Sequence, residues 1–169
     1  MDEVTRFLNV WEQETQKTLG LLKCLPRDQY DFRPDAGGRS LGELAWHLAE
    51  SDAYITHGIE RGLFDFGEKP AGIERPRKVE ELAPAFERIH RDAVERVKKL
   101  KPEDLDRRLS FFALGEMPIR DLLWNLVVMH NIHHRGQLVL MCRLAGGTPV
   151  GVFGPTREQM AAAKAAAAV

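Results

Sequence analysis

The sequence predicts an all-α protein: a four-helix bundle with long crossover connections and a short C-terminal helix. Apolar residues recur at steps of three and four along four long segments, which is the spacing of one buried helix face. No stretch shows the convincing alternation of apolar and polar residues that is typical of a half-buried strand. The chain has 169 residues, so we expect one domain, residues 1–169, with a real core.

The first two predicted helices are separated by a loop with strong turn signals. Helix one covers the apolar seam from Val4 to Leu25, and Pro26 follows it. Residues 33–38 are rich in Pro and Gly and are predicted to be a loop. Ser40 is a good N-cap, and Glu43 three residues later completes a capping box. Helix two is then predicted to end at Gly62.

Two loops flank the third helix. Residues 63–77 combine Gly, Pro and charge and are predicted to cross the bundle. The third helix follows a seam from Leu82 to Leu100, and Pro84 is tolerable in it only near the first turn. Residues 102–117 are predicted to be a second loop, with a short turn at 102–105.

The fourth helix is predicted to run from about Pro118 to Ala145, where Gly146 and Gly147 end it. A short fifth helix is expected from Pro155, with an alanine-rich end that frays.

Composition argues against several functional classes. Basic and acidic residues nearly balance at 24 and 25, so no strong field favours nucleic acid as a partner. No apolar run approaches the length of a membrane span, and no secretory signal pattern is recognised. Cys24 and Cys142 are not spaced as a metal-binding pair, so we expect free thiols and a cytoplasmic location.

The fourth helix carries three histidines on little more than one turn. His130 and His134 lie four residues apart, so their side chains are separated by about 40° and can point at one ion. His133, at a spacing of three, is the alternative to His134, which geometry favours. On the second helix, His47 borders the core stripe and could complete the set, although alone it also fits a partly buried, hydrogen-bonded histidine. His57 and His90 are expected at surface or boundary positions.

A divalent cation satisfies several buried imidazoles at once, whereas without one each imidazole needs its own partner. Three histidines without a fourth protein ligand are typical of a site that keeps positions open for water or substrate. Three nitrogen ligands do not select one metal: zinc, nickel, iron, manganese and copper all bind imidazole. We favour zinc or nickel, with iron or manganese as alternatives.

Residues beside the histidines suggest supporting roles. Arg135 is expected either to face solvent or to clamp an anionic substrate. A glycine such as Gly136 lowers helix stability by about 1 kcal/mol relative to alanine. We expect a neighbouring helix to approach Gly136 closely and so compensate for this loss. Gln137, Glu50 and Asp52 could each orient a ligand, although helix carboxylates are usually solvated.

The chain resembles the DinB/YfiT-like metalloenzyme family in three segments: Ser40–Leu48 (SLGELAWHL), His130–Leu138 (HNIHHRGQL) and Thr148–Pro155 (TPVGVFGP). The resemblance implies a four-helix bundle that binds a divalent metal through His47, His130 and His134, with His133 as a non-ligand. It also implies a homodimer and, by similarity to related activities, transferases and isomerases that use low-molecular-weight thiols.

Three functions compete at this point. The first is an enzyme whose metal activates water or a small thiol toward a small-molecule substrate, a hydrolase or thiol S-transferase, with no protein nucleophile evident. The second is a non-catalytic metal-binding or stress-related bundle protein, in which the ion stabilises the fold. The third is a metal-free interaction module.

Overall fold

A computed structural model describes residues 1–65 and 67–167, and four long helices form its framework. Helix α1 spans Glu3–Leu22, α2 spans Leu41–Arg61 and α3 spans Val79–Val97. The fourth helix, α4, continues through three segments, Ile119–Asp121, Leu122–Met129 and His130–Leu144, and the short α5 spans Arg157–Ala166. The predicted all-α class is confirmed. Phe66, in a predicted loop, and residues 168–169, in the predicted tail, lie outside the described residues.

The predicted ends of α2 are confirmed. The Ser40 hydroxyl oxygen accepts from the backbone N–H of Glu43 at 3.2 Å, and the Glu43 carboxylate accepts from the backbone N–H of Ser40 at 2.8 Å. Gly62 ends the helix in the left-handed region, at a φ of 75°, where glycine is favoured. Local sequence signals therefore fix the helix that carries His47.

Helix α3 starts at Val79, so Pro84 is its sixth residue and lies just past the first turn. Pro84 has no N–H to donate to the carbonyl of Glu80, and both residues are exposed, so water can reach that carbonyl.

The segment predicted as the loop 102–117 contains regular structure. A 3₁₀ turn at Pro102–Asp106 matches the predicted short turn. Strand β1, Arg108–Ser110, then pairs antiparallel with β2, Glu116–Pro118. The prediction of a loop without strands is wrong here, because three-residue strands are too short to show an alternating pattern. The turn between them places Phe112 at a φ of 45°.

The helices bury two apolar clusters. Helix α2 packs against α3 and α4, and α1 packs against the same two helices. One cluster contains Trp46 and Phe86, and the other contains Phe7 and Trp11. Between the two clusters, each long helix contributes buried polar residues, namely Thr15, Asp52, His90, Asn131 and Arg135.

Among the described helices, none combines the length and hydropathy that a membrane span needs.

Candidate metal centre

The structure brings three of the predicted histidines together between α2 and α4. One nitrogen of each of His47, His130 and His134 lies within 4.8 Å of the other two. The Nε2 atoms of His130 and His134 are 3.1 Å apart. The His47 ring centroid lies 5.1 Å and 4.9 Å from theirs. Two separate helices therefore supply one cluster of imidazole nitrogens.

Each of the three rings has a hydrogen-bond partner at Nδ1, the nitrogen on the other side of the ring from Nε2. The partner of His130 is the Ser51 hydroxyl at 2.9 Å. For His134 it is the Gln137 side-chain oxygen at 2.7 Å, and for His47 it is the Glu50 carboxylate at 3.3 Å. Two of these partners, Gln137 and Glu50, were predicted to orient a ligand, and each contacts a ring nitrogen.

The hydrogen-bond partners indicate which nitrogen of each ring carries the proton. Ser51 donates its only hydroxyl hydrogen to the carbonyl of His47 at 3.1 Å, so toward His130 it can only accept. The carboxylate and the amide oxygen behind the other two rings are also acceptors. In the tautomer that these acceptors favour, each ring carries its proton on Nδ1 and leaves Nε2 unprotonated. In that form the Nε2 atoms of His130 and His134, 3.1 Å apart, can both bind one cation, so the donor set fits a divalent metal ion.

Burial favours the uncharged form of the two clustered histidines of α4. Desolvation, with repulsion from the neighbouring imidazoles of His134 and His47, lowers the pKa of His130 to about 4. Desolvation also lowers the pKa of His134, against the opposing hydrogen bond to Gln137. Both rings are neutral at pH 7, which is the form that binds a metal.

A π-helical segment leads directly into the histidines. Residues Leu122–Met129 have π-helical hydrogen bonding, and α-helical bonding resumes at His130. A change in hydrogen-bond spacing rotates the residues that follow, so this segment sets which face of α4 carries His130. Nothing in the sequence indicates π-helical bonding, because the apolar run Leu122–Met129 is equally typical of an α-helix.

An open cleft of about 460 Å³ reaches the histidines. Its lining comes from α2 and the residue before its N-cap, from α4 and from the hairpin: Arg39, His47, Glu50, Ser51, Tyr54, Ile55, Phe111, Leu126 and His130. A small molecule can therefore reach two of the three rings from solvent.

The other three histidines lie outside the cluster, and two of them are on the helices that supply it. His133 is exposed on α4, and its Nε2 lies 3.1 Å from the Gln137 side-chain nitrogen. His57 is half-buried on α2, away from the three-nitrogen cluster.

The expected surface or boundary position of His90 is wrong. Its side chain is buried, and its Nδ1 lies 3.2 Å from Asp52 and 3.2 Å from Thr15. Burial opposes the imidazolium, but the hydrogen bond and charge of Asp52, with Glu12 at Nε2, raise the pKa of His90. Asp52 is fully buried and accepts from Asn131 at 2.8 Å, so it belongs to this network, and no described hydrogen bond joins it to the three clustered histidines.

Both expectations for Arg135 are also wrong. Only 1% of Arg135 is exposed, and its guanidinium pairs with the Glu14 carboxylate of α1. It also donates to the Glu14 carbonyl at 2.7 Å and to the Thr18 hydroxyl at 3.3 Å. The predicted close approach to Gly136 is wrong within this chain, because a Cβ there would meet no described atom within 4 Å.

The fold and the site together define a helical bundle with an imidazole cluster between its second and fourth helices. A sequence model of the DinB family matches residues 1–166, and the chain belongs to this family. The resemblance in the three motif segments is thereby confirmed.

Known relatives agree with this assignment. The chain is 28% identical over 156 residues to the uncharacterized protein YrdA of Bacillus subtilis strain 168, covering 92% of this chain and 90% of YrdA. A crystal structure of a DinB-like protein from Bacillus cereus ATCC 10987 matches with a TM-score of 0.71 at 27% identity, covering 87% of this chain and 95% of that one. The DinB-like protein YjoA of Bacillus subtilis matches in fold, with a TM-score of 0.72 at 24% identity over 89% of this chain and 99% of that one.

Proposed function

We propose that this protein is a divalent-metal-dependent enzyme whose ion is held by the Nε2 atoms of His47, His130 and His134. The observation that carries the proposal is the convergence of one nitrogen from each of the three rings, together with a hydrogen-bond partner at each Nδ1. Family membership supports it. Three protein ligands leave coordination positions open, and the adjoining cleft gives a small molecule access to them.

When bound, a divalent cation acts as a Lewis acid and lowers the pKa of a coordinating water or thiol. The chain's own residues prepare the site for that chemistry. Ser51, Glu50 and Gln137 hold the proton at Nδ1 of each ring and so keep Nε2 available. We propose a hydrolase or thiol S-transferase type of reaction, in which the nucleophile is water or a low-molecular-weight thiol.

The cysteines support an external nucleophile. Cys142 is fully buried, its Sγ lies 3.6 Å from the carbonyl oxygen of Cys24, and burial raises the pKa of its thiol. Within the described chain, neither cysteine lines the cleft. Both thiols are free, which suits the cytoplasmic location that we propose; cell fractionation would test it.

Zinc or nickel is the proposed metal, with iron or manganese as alternatives, because all of them accept imidazole ligands. Metal analysis of protein purified without an affinity tag should give about one ion per chain. His130→Ala should lose it, whereas His133→Ala, an exposed histidine on the same helix, should retain it. Full occupancy in the first variant would reject the ligand assignment.

The open cleft favours an enzyme over a non-catalytic metal-binding or stress-related protein. Activity can be measured with cysteine as the thiol and 1-chloro-2,4-dinitrobenzene as the electrophile: a sulfur–carbon bond forms, chloride leaves and buffer takes the thiol proton. A metal-dependent rate that His130→Ala abolishes supports the enzyme. If metal removal lowers the melting temperature strongly and no metal-dependent reaction is found, the ion is a structural one.

A homodimer is the proposed assembly. Met129, Leu140 and Leu144 are exposed apolar side chains on α4, and the exposed Gly136 leaves room for a second helix. Sedimentation should give a dimer that Leu140→Glu dissociates; a monomeric wild type would reject this assembly.

A further inference from the structure

The cleft beside the histidines has a large apolar wall. Tyr54 and Ile55 of α2, Leu126 of α4 and Phe111 of the hairpin contribute to it. Phe111 is supported from behind by the Phe64 ring, whose centroid is 4.8 Å away in an edge-to-face arrangement. A volume of about 460 Å³ is within the range of small-molecule sites. The wall therefore suits a substrate with an apolar body.

Arg39 supplies a positive charge at the same cleft. It immediately precedes the N-cap of α2, it is exposed, and it lines both the cleft and an adjoining groove. Among the described residues, no carboxylate forms an ion pair with Arg39. The acidic groups that line these surfaces are engaged elsewhere: Glu50 with His47 and with Arg75 at 3.3 Å, and Asp35 with the backbone N–H of Gly37 at 3.2 Å.

These two features define a class of substrate. A guanidinium without an ion-pair partner among the described residues can form two parallel hydrogen bonds to a carboxylate, and the neighbouring apolar wall can pack against the apolar part of the same molecule. Arg39 lines the same cleft as His47 and His130. A substrate that uses all three side chains carries an anionic group for Arg39 and a separate reacting group for the histidines.

We propose that Arg39 is a substrate-binding residue and that the cleft takes a small amphiphilic carboxylate. The carboxylate pairs with Arg39, and the apolar body lies against Phe111 and Leu126. This inference rests on the proposed enzymatic function for its meaning, but the binding it describes does not require the metal. It can therefore be tested on metal-free protein.

The test uses 4-phenylbutyrate as the probe and protein dialysed against a chelator. Binding is followed by the chemical shifts of backbone amides, with 4-phenyl-1-butanol as the uncharged analogue and butyrate as the analogue without the ring. We expect 4-phenylbutyrate to bind in the millimolar range and both analogues to bind about tenfold more weakly. Arg39→Gln should weaken 4-phenylbutyrate about tenfold and leave the alcohol unchanged.

Arg91→Gln is the matched control, because Arg91 is an exposed arginine on α3 that lines no part of the cleft. It should bind 4-phenylbutyrate as the wild type does. The inference is overturned if Arg39→Gln binds the probe with unchanged affinity, if the alcohol binds as tightly, or if the metal-free protein does not bind the probe. If the probe binds through Arg39 but the protein takes up no metal, only the proposed metal-dependent function is rejected.

Discussion

Arg135→Met tests whether the buried arginine on α4 is structural. The substitution keeps an apolar stem of similar length and removes the charge. It leaves the Glu14 carboxylate of α1 largely buried, with 13% of its side chain exposed, and paired only with Lys17. Two further hydrogen bonds, to the Glu14 carbonyl and the Thr18 hydroxyl, are lost as well.

These contacts determine how much the free energy of unfolding should fall in Arg135→Met. Removing one partner of a buried ion pair costs about 3–5 kcal/mol, because the other charge stays buried. Lys17 remains beside Glu14, so we expect a value near the lower end, about 3 kcal/mol. For a chain of this size the melting temperature should fall by roughly 6–12 °C. The double variant Glu14→Gln/Arg135→Met removes both charges and should lose only about 1 kcal/mol.

Urea unfolding measures both variants, with Arg91→Met as the control for an exposed arginine. The control should remain within about 0.5 kcal/mol of the wild type. The structural role of Arg135 is refuted if the single variant is as stable as the control. It is also refuted if the double variant is no more stable than the single one.

Three further predictions concern the site and the polar layer beside it. Ser51→Ala removes the hydroxyl that contacts Nδ1 of His130 and should weaken metal binding about 10–100-fold, as measured by competitive titration with a chelator. Ser110→Ala, at an exposed position on the hairpin, should leave metal binding unchanged. Between pH 7.5 and 5.5, metal affinity should fall by no more than about 100-fold, because the pKa of His130 is already about 4 and protons do not compete with the metal for this ring. Three ordinary imidazoles would give a fall of about 1,000-fold, and a fall of that size in the same titration would contradict the prediction. Asp52→Ala leaves the His90 imidazole and the Asn131 amide without their buried partner and should cost about 3 kcal/mol in urea unfolding. A loss under about 1 kcal/mol would contradict the network.

Helix order and the three converging histidines could be predicted because they depend on local signals. The Ser40–Glu43 capping box and the glycine at position 62 fix the ends of α2 without reference to the rest of the chain. The spacing of four between His130 and His134 places both on one face of any helix. Only the approach of His47 required the tertiary fold, and the bundle topology supplied it.

The rule that charged residues lie at the surface gives the wrong position for the buried polar layer. Asp52, His90 and Arg135 lie on the apolar seams of their helices, at steps of three and four from buried apolar residues. Periodicity alone therefore places them inside. Their partners come from other helices, as Glu14 of α1 does for Arg135, and one helix's pattern does not reveal them.

The π segment and the hairpin were missed for a different reason. The π segment from Leu122 to Met129 is uniformly apolar, so its sequence does not distinguish π from α hydrogen bonding. The strands of the hairpin have three residues each, and their pairing is fixed by the turn between them. Both elements border the site, since one leads into His130 and the other supplies Phe111.

The most direct measurement is an anomalous-difference map from crystals of tag-free protein, recorded on both sides of the zinc and nickel absorption edges. The account predicts one peak about 2.1 Å from the Nε2 atoms of His47, His130 and His134. A peak elsewhere, for example at the exposed His133, or none at the three rings in crystals grown with added zinc and nickel, would contradict it.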